Sequence, residues 1–301
     1  MAIASVRIQI NGTWHNLTYD SASGAWKATI TAALGTSYIM EGGYYSCTVE
    51  ATNTAGTKTT ASASTVSGLK LYVRETEPPT ISVQSPTSGA YVTNNKQPVV
   101  FIAGDEQDGS GINPSSAVVT LDGQAVPAAN VSVTKQSTAY KITFTPATAL
   151  TDGNHTVTAK ISDNDGNQSE AATVTFKVDT VPPTLNVSAP ADTLITNNAS
   201  VNVTGTTNDA TSSPVKITIK LNGTDQGSVT VATNGSFSKA ITLADGNNTI
   251  VVTATDAAGK TSSVTRTVTL DTSAPVIQSA TINPNPVDSG ATMVITVVIT
   301  G

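Results

Sequence analysis

Apolar and polar residues alternate along most of this chain with a period of two. His155-Thr-Val-Thr-Ala-Lys-Ile-Ser162 changes character at nearly every step, and alternation of this kind predicts a strand with one buried face. That strand belongs to a phrase of turn, strand and turn running from Leu150 to Asn167. The phrase returns from Leu243 to Lys260 and, more loosely, from Gly42 to Gly56. Such repetition fixes an architecture before any single residue is interpreted. No stretch of ten or more residues carries apolar positions at i, i+3, i+4 and i+7 without a Gly, a Pro or a β-branched run, so helix content is expected to be close to nil.

Proline marks the hand-overs between units. Pro78-Pro79, Pro182-Pro183 and Ala274-Pro275 each follow a predicted strand. Proline donates no hydrogen bond and fixes φ, so it ends a sheet and stiffens the segment after it. Pro78 and Pro182 lie about a hundred residues apart, the size of a seven-stranded sandwich. Inside the second and third units, Pro79–Pro86 matches Pro183–Pro190, Tyr91–Asn95 matches Leu194–Asn198, and Leu121-Asp-Gly123 matches Leu221-Asn-Gly223. Asp-Gly and Asn-Gly between alternating strands are hairpin signals, because a type I′ turn needs positive φ at both central residues. The expected organisation is an aromatic-rich β-domain at 1–76, homologous β-domains at 77–180 and 181–273, and a short β-hairpin segment at 274–301 that begins like a further copy. The first unit holds both tryptophans and five of the seven tyrosines.

Composition narrows the chemistry. Only 12% of the 301 residues are charged, the net charge is −6, and the 15 basic residues are scattered. A nucleic-acid partner is not expected, because phosphate binding needs clustered Lys and Arg. One cysteine, Cys47, excludes an internal disulfide; lying mid-strand, it reads as a small core residue rather than a reactive thiol. The first ten residues lack the basic and apolar regions of a secretory signal, and no apolar run reaches the length of a membrane span.

The linker Val178-Asp-Thr-Val-Pro-Pro183, the loop Asp105-Glu-Gln-Asp-Gly-Ser-Gly-Ile112, the Leu121-Asp-Gly123 turn and the Asp-Gly hairpins resemble the bacterial Ig-like families. These are met in surface adhesins, carbohydrate-active enzymes and phage structural proteins. The resemblance covers about two-thirds of the chain and implies an all-β fold of three tandem Ig-like β-sandwiches with the short C-terminal hairpin. It guides function poorly, because such domains are reused as spacers. An Asn-Gly-Thr-Trp14 unit ahead of Ig-like modules, with Ile282-Asn-Pro-Asn-Pro-Val287 behind them, is similar to virion-associated proteins encoded near phage tail genes. That likeness implies a structural protein of a virion, released by lysis, with other virion or tail subunits as partners. The alternative is a carbohydrate-binding or adhesion module on a bacterial cell surface, with a host glycan or protein as ligand.

Candidate sites are few. His15 and His155 fall at unrelated places, and no nucleophile with an oriented base is legible, so no enzyme and no cofactor are expected. Asp163-Asn-Asp-Gly-Asn167 begins like a calcium loop but has Val174 where the twelfth-position glutamate would stand. A hairpin turn is the simpler reading, with calcium at Asp105, Asp108, Asp163 and Asp165 as its alternative. Trp14, Tyr19 and Trp26 could stack on a sugar ring or fill the core of a small domain. Met293, Val294, Ile295, Val297 and Ile299 form the most apolar run, and an unpaired strand edge there is expected to join another subunit by strand addition.

Overall fold

The computed structural model describes residues 2–32 and 34–301. The chain is all-β, with short 3-10 turns at Glu41–Gly43, Ser67–Leu69 and Ala128–Asn130. It divides into two compact units, one ending at Val178 and the other beginning at Asp179.

The first unit holds two domains. In the N-terminal one, five strands lie in the order Ala25–Lys27, Thr13–Asp20, Ile3–Ile10, Thr48–Asn53, Lys58–Ser62; a small second sheet pairs Tyr45–Ser46 with Lys70–Leu71. The Asn11-Gly12 turn has φ of 46° and 83°, as a type I′ hairpin requires. Cys47 is buried, as expected, but it lies between the strands Tyr45–Ser46 and Thr48–Asn53 rather than within one; burial raises its thiol pKa.

The second domain is a sandwich of a four-stranded and a five-stranded sheet. The larger sheet runs Gln124–Ala125, Ile112–Leu121, Gly153–Asp163, Ala172–Val178, Tyr91–Val92, the last pair parallel. Its core is built from Phe101, Phe144, Phe176 and the β-branched residues between them.

The second unit repeats this plan. Leu194–Thr196 pairs in parallel with Thr261–Leu270, which is followed in the sheet by Gly246–Thr255, Lys216–Leu221 and Thr224–Asp225. Three strands, Thr184–Ala189, Ser200–Asn208 and Ser236–Thr242, form the opposing sheet. Val203, Ile217, Ile219, Ile250, Val252 and Val268 lie buried between them.

The repeated phrase explains the match. Along Gly153–Asp163 the buried residues are His155, Val157, Ala159, Ile161 and Asp163; in the third domain they are Asn248, Ile250, Val252, Ala254 and Asp256. His155 has no free nitrogen for chemistry: Nδ1 lies 2.8 Å from Asp122 Oδ2 and Nε2 lies 2.8 Å from the Thr151 carbonyl. Asn248 fills the same slot. It receives a hydrogen bond from Asn222 Nδ2 at 3.2 Å and donates to the Ala244 carbonyl at 2.7 Å. Both side chains pin the turn preceding their strand to the neighbouring Leu-Asx-Gly hairpin.

Among the described residues, the C-terminal strands Val276–Asn283 and Val294–Thr300 pair only with each other, and Val294, Ile295 and Ile299 are all more than half exposed.

The third domain leaves no room for a side chain at Gly205, where a Cβ would stand 2.2 Å from the Asn186 carbonyl oxygen and 2.6 Å from the Phe237 ring. Gly205→Ala should therefore destabilise that domain by about 1–3 kcal/mol. Scanning calorimetry should show its transition falling by several degrees while the second domain's is unchanged.

Candidate functional site

Polar chemistry in the first unit gathers where the N-terminal domain hands over to the second. The segment leading across, Val73 to Pro79, is held by hydrogen bonds rather than left free. Ser37 N–H donates to the Val73 carbonyl at 2.8 Å. Glu75 N–H donates to Asp165 Oδ2 at 3.0 Å, and the same oxygen accepts the Thr36 hydroxyl at 2.5 Å. Asn167 Nδ2 donates to the Glu75 carbonyl at 3.1 Å, and Ser110 N–H donates to Glu75 Oε1 at 2.6 Å. The two loops that receive the segment are stitched together by Asn164, whose amide donates to the Ser110 and Gly111 carbonyls, each at 2.8 Å.

The four aspartates of the alternative calcium reading take different roles. Asp163 caps its own turn: Oδ1 accepts the Gly166 and Asn167 amides at 2.6 and 2.8 Å, and Oδ2 accepts Asn167 Nδ2 at 2.7 Å. This is the simpler hairpin reading of that sequence. Asp165 is the clamp between the domains just described. Asp108 is exposed, with φ of 66° at the loop tip. Asp105 alone sits in a carboxylate cluster, and its companions are Glu75 and Glu106, with one oxygen from each within 4.8 Å of the others. Among the described residues, Asp108, Asp163 and Asp165 do not join that cluster. Glu75 is inconspicuous in the sequence because it lies about thirty residues upstream in the linker, where it reads only as a surface acid.

Protein groups alone leave the charge of this cluster unbalanced. Asp105 Oδ2 accepts the Gly111 amide at 2.7 Å, but Oδ1 is buried without a hydrogen-bond partner, as is Glu75 Oε2. Burial raises the Asp105 carboxyl above its ordinary value, and the neighbouring Glu75 charge adds to this. Burial likewise raises Glu75, reinforced by the Glu106 carboxyl beside it. Such a cluster can share a proton or accept a hard cation through its oxygens.

The aromatic residues do not form one platform. Tyr19 pairs directly with Trp26 across two strands, their rings 5.6 Å apart. Trp14 is an odd number of residues from Tyr19 on the same strand, so it faces the other side of the sheet. There Arg7 lies 4.2 Å over its ring and donates to Glu50 at 2.9 Å. Tyr19 is 53% exposed. On its side of the sheet, a groove runs past Ile8, Leu17 and Trp26, and a cavity of about 390 Å³ is lined by Ile10, Thr13, His15, Ile30, Leu34 and Leu71. Tyr45 is buried and donates its hydroxyl to the Gly35 carbonyl at 3.2 Å.

The raised carboxyls predict a pH response. Folding increases the proton affinity of Asp105 and Glu75, so the stability they contribute is complete below the ordinary carboxyl range, about pH 4, and is lost as pH rises through their folded values. Amide exchange at Ser110 and Gly111, corrected for its intrinsic pH dependence, should show stronger protection at about pH 5 than at about pH 7. Asp105→Asn should flatten the difference.

Comparison with known proteins places these domains. Residues 77–180 match the family model described as bacterial Ig-like domain. Residues 183–272 match the model described as glucodextranase, domain B. No curated protein matches the chain. Among solved structures, the fibronectin(III)-like modules of CbhA from Clostridium thermocellum are 16% identical with a TM-score of 0.40, over 64% of this chain and 94% of that one. Sidekick-1 immunoglobulin domains 1–5 are 13% identical with a TM-score of 0.40, over 92% of this chain and 56% of theirs. The SGBP-B protein of the Bacteroides ovatus mixed-linkage glucan utilization locus, solved with a mixed-linkage heptasaccharide, is 15% identical with a TM-score of 0.23, over 95% and 69%. Residues 77–180 thus match the bacterial Ig-like model, the third domain repeats their sheet plan, and the chain is an all-β array of tandem β-sandwich domains.

Proposed function

We propose that this array is a non-enzymatic structural protein of a phage or prophage particle, a spacer that presents its N-terminal domain towards a host surface. The observation that carries this reading is the clamped junction of the first unit. Asp165, Asn167, Ser110 and Thr36 fasten Glu75 and its flanking backbone on both sides. Two domains joined in this way hold a fixed orientation, as a spacer needs, whereas an unbonded linker would act as a hinge. The match of residues 183–272 to one domain of a glucodextranase concerns fold. In that domain the slot of His155 is held by Asn248, a side chain that does not exchange protons near neutral pH.

The exposed strands Val276–Asn283 and Val294–Thr300 are the proposed attachment point to a neighbouring subunit. Met293, Val294, Ile295, Val297 and Ile299 supply apolar surface on both faces of that hairpin, and its open edges supply backbone groups for strand addition. Mass spectrometry of purified particles should find the protein at a fixed ratio to tail proteins. A chain lacking residues 276–301 should be absent from them while its remaining domains stay folded by circular dichroism. Absence of the full chain from intact particles would falsify the virion reading.

A second reading, a cell-surface carbohydrate-binding module, is favoured by one observation: the pair of an exposed Tyr19 and a half-buried Trp26 beside an open groove. Aromatic faces of this kind pack on pyranose rings. On a glycan array, Tyr19→Ala and Trp26→Ala should each abolish binding and Trp14→Ala should leave it intact, because Trp14 lies across the sheet. Equal losses from all three would point to damaged folding instead of a lost site.

A further inference from the structure

We propose that the third domain carries a calcium site built from Asp179, Asp209 and Asp256. These residues arrive from three separate segments. Asp179 opens the second unit ahead of Pro182-Pro183, Asp209 follows the strand Ser200–Asn208, and Asp256 follows the strand Gly246–Thr255. One carboxylate oxygen of each lies within 4.8 Å of the other two. Oxygens bound to a common calcium ion, each at 2.3–2.6 Å, are separated by no more than about 5 Å. The cluster therefore already has the spread of a coordination shell.

Burial distinguishes these acids from a surface patch. Asp179, Asp209 and Asp256 are exposed by only 0, 7 and 6%. Among the described residues no basic side chain forms an ion pair with any of them. Local hydrogen bonds account for part of their capacity. Asp179 accepts the Ser212 hydroxyl and the Val181 amide, and Asp209 Oδ1 accepts the Thr211 and Ser212 amides at 2.8 and 2.6 Å. Asp256 Oδ1 accepts the Lys260 amide at 2.9 Å. Its Oδ2 is buried with no partner.

The second domain shows why that oxygen is free. Its counterpart, Asp163 Oδ2, is satisfied by the side-chain amide of Asn167. Lys260 replaces that asparagine in the third domain, and its backbone amide reaches only Oδ1. A buried carboxylate oxygen without a donor is unfavourable, and three buried carboxylates without a positive charge are more so. A divalent cation supplies both the charge and the missing ligand. An all-oxygen set selects a hard ion, and a cage assembled from loop and linker segments suits calcium, which accepts irregular geometry; magnesium demands a near-ideal octahedron and keeps its water. Calcium here would brace the segment on which the third domain begins. Such a site is independent of the particle and glycan readings.

The full chain, stripped with a chelator, should bind calcium in isothermal titration calorimetry, and its third-domain transition should rise in scanning calorimetry. Asp256→Asn should weaken binding at least about tenfold and remove most of that rise. In chelator the same variant should unfold no earlier than the wild type, since it removes a buried charge. Asp209→Asn, which keeps a carbonyl acceptor for the Thr211 and Ser212 amides, should behave likewise. The proposal is overturned by an absent calcium shift in the wild type, or by a shift that survives in both variants, which would place the ion elsewhere. A magnesium response equal to that of calcium overturns it too. So does a variant that unfolds well below the wild type in chelator, since its carboxylate is then only a structural acceptor.

Discussion

An alternating strand has one freedom, which face turns inward, and once its middle is buried every second residue must follow. In the repeated strand of the second domain, Val157, Ala159 and Ile161 set that choice; in the third, Ile250, Val252 and Ala254 do. The period of two then forces His155 and Asn248 inward at one end, and Asp163 and Asp256 inward at the other. Much of the polar structure of these sandwiches answers that constraint, because each forced polar group needs a partner or costs about 1–3 kcal/mol.

The two domains answer it alike at the first end and differently at the second. His155 and Asn248 are chemically unrelated, yet each joins a turn to a Leu-Asx-Gly hairpin through hydrogen bonds of similar length. At the other end the second domain closes its turn on Asp163 with Asn167, then uses Asp165 and the neighbouring loop to clamp the preceding domain. The third domain lacks the asparagine and instead gathers three carboxylates. One substitution in a turn thus separates a self-satisfied cap from a site with unmet charge.

The N-terminal domain follows the same rule with larger side chains. Tyr19 and Trp26 share a face because they are cross-strand partners; Trp14 is excluded from it by parity alone. Residue type made the three look like a set, and the period of the strand divides them. The register of Thr13–Asp20 against Ala25–Lys27 was needed to see this, since the length of the intervening turn decides which residues meet.

Turns, alternation and prolines are local properties, and local properties were enough to read the all-β class, the repeated plan of the two sandwiches, the Leu-Asx-Gly hairpins and the burial of Cys47. The shared slot of His155 and Asn248 was also legible, because both sit at one position of a repeated phrase. The grouping of Glu75 with Asp105, and of Asp179 with Asp209 and Asp256, was not. Those residues are separated by tens of positions and come from a linker, a loop and a strand end. Asp256-Ala-Ala-Gly-Lys260 looked poorer in ligands than Asp163-Asn-Asp-Gly-Asn167, yet its missing amide is what leaves a buried oxygen unpaired. Sequence determined which residues each strand would bury; only the closure of two sheets and the path of the linker decided which buried charges would meet, because electrostatic proximity depends on distance through the fold and not along the chain.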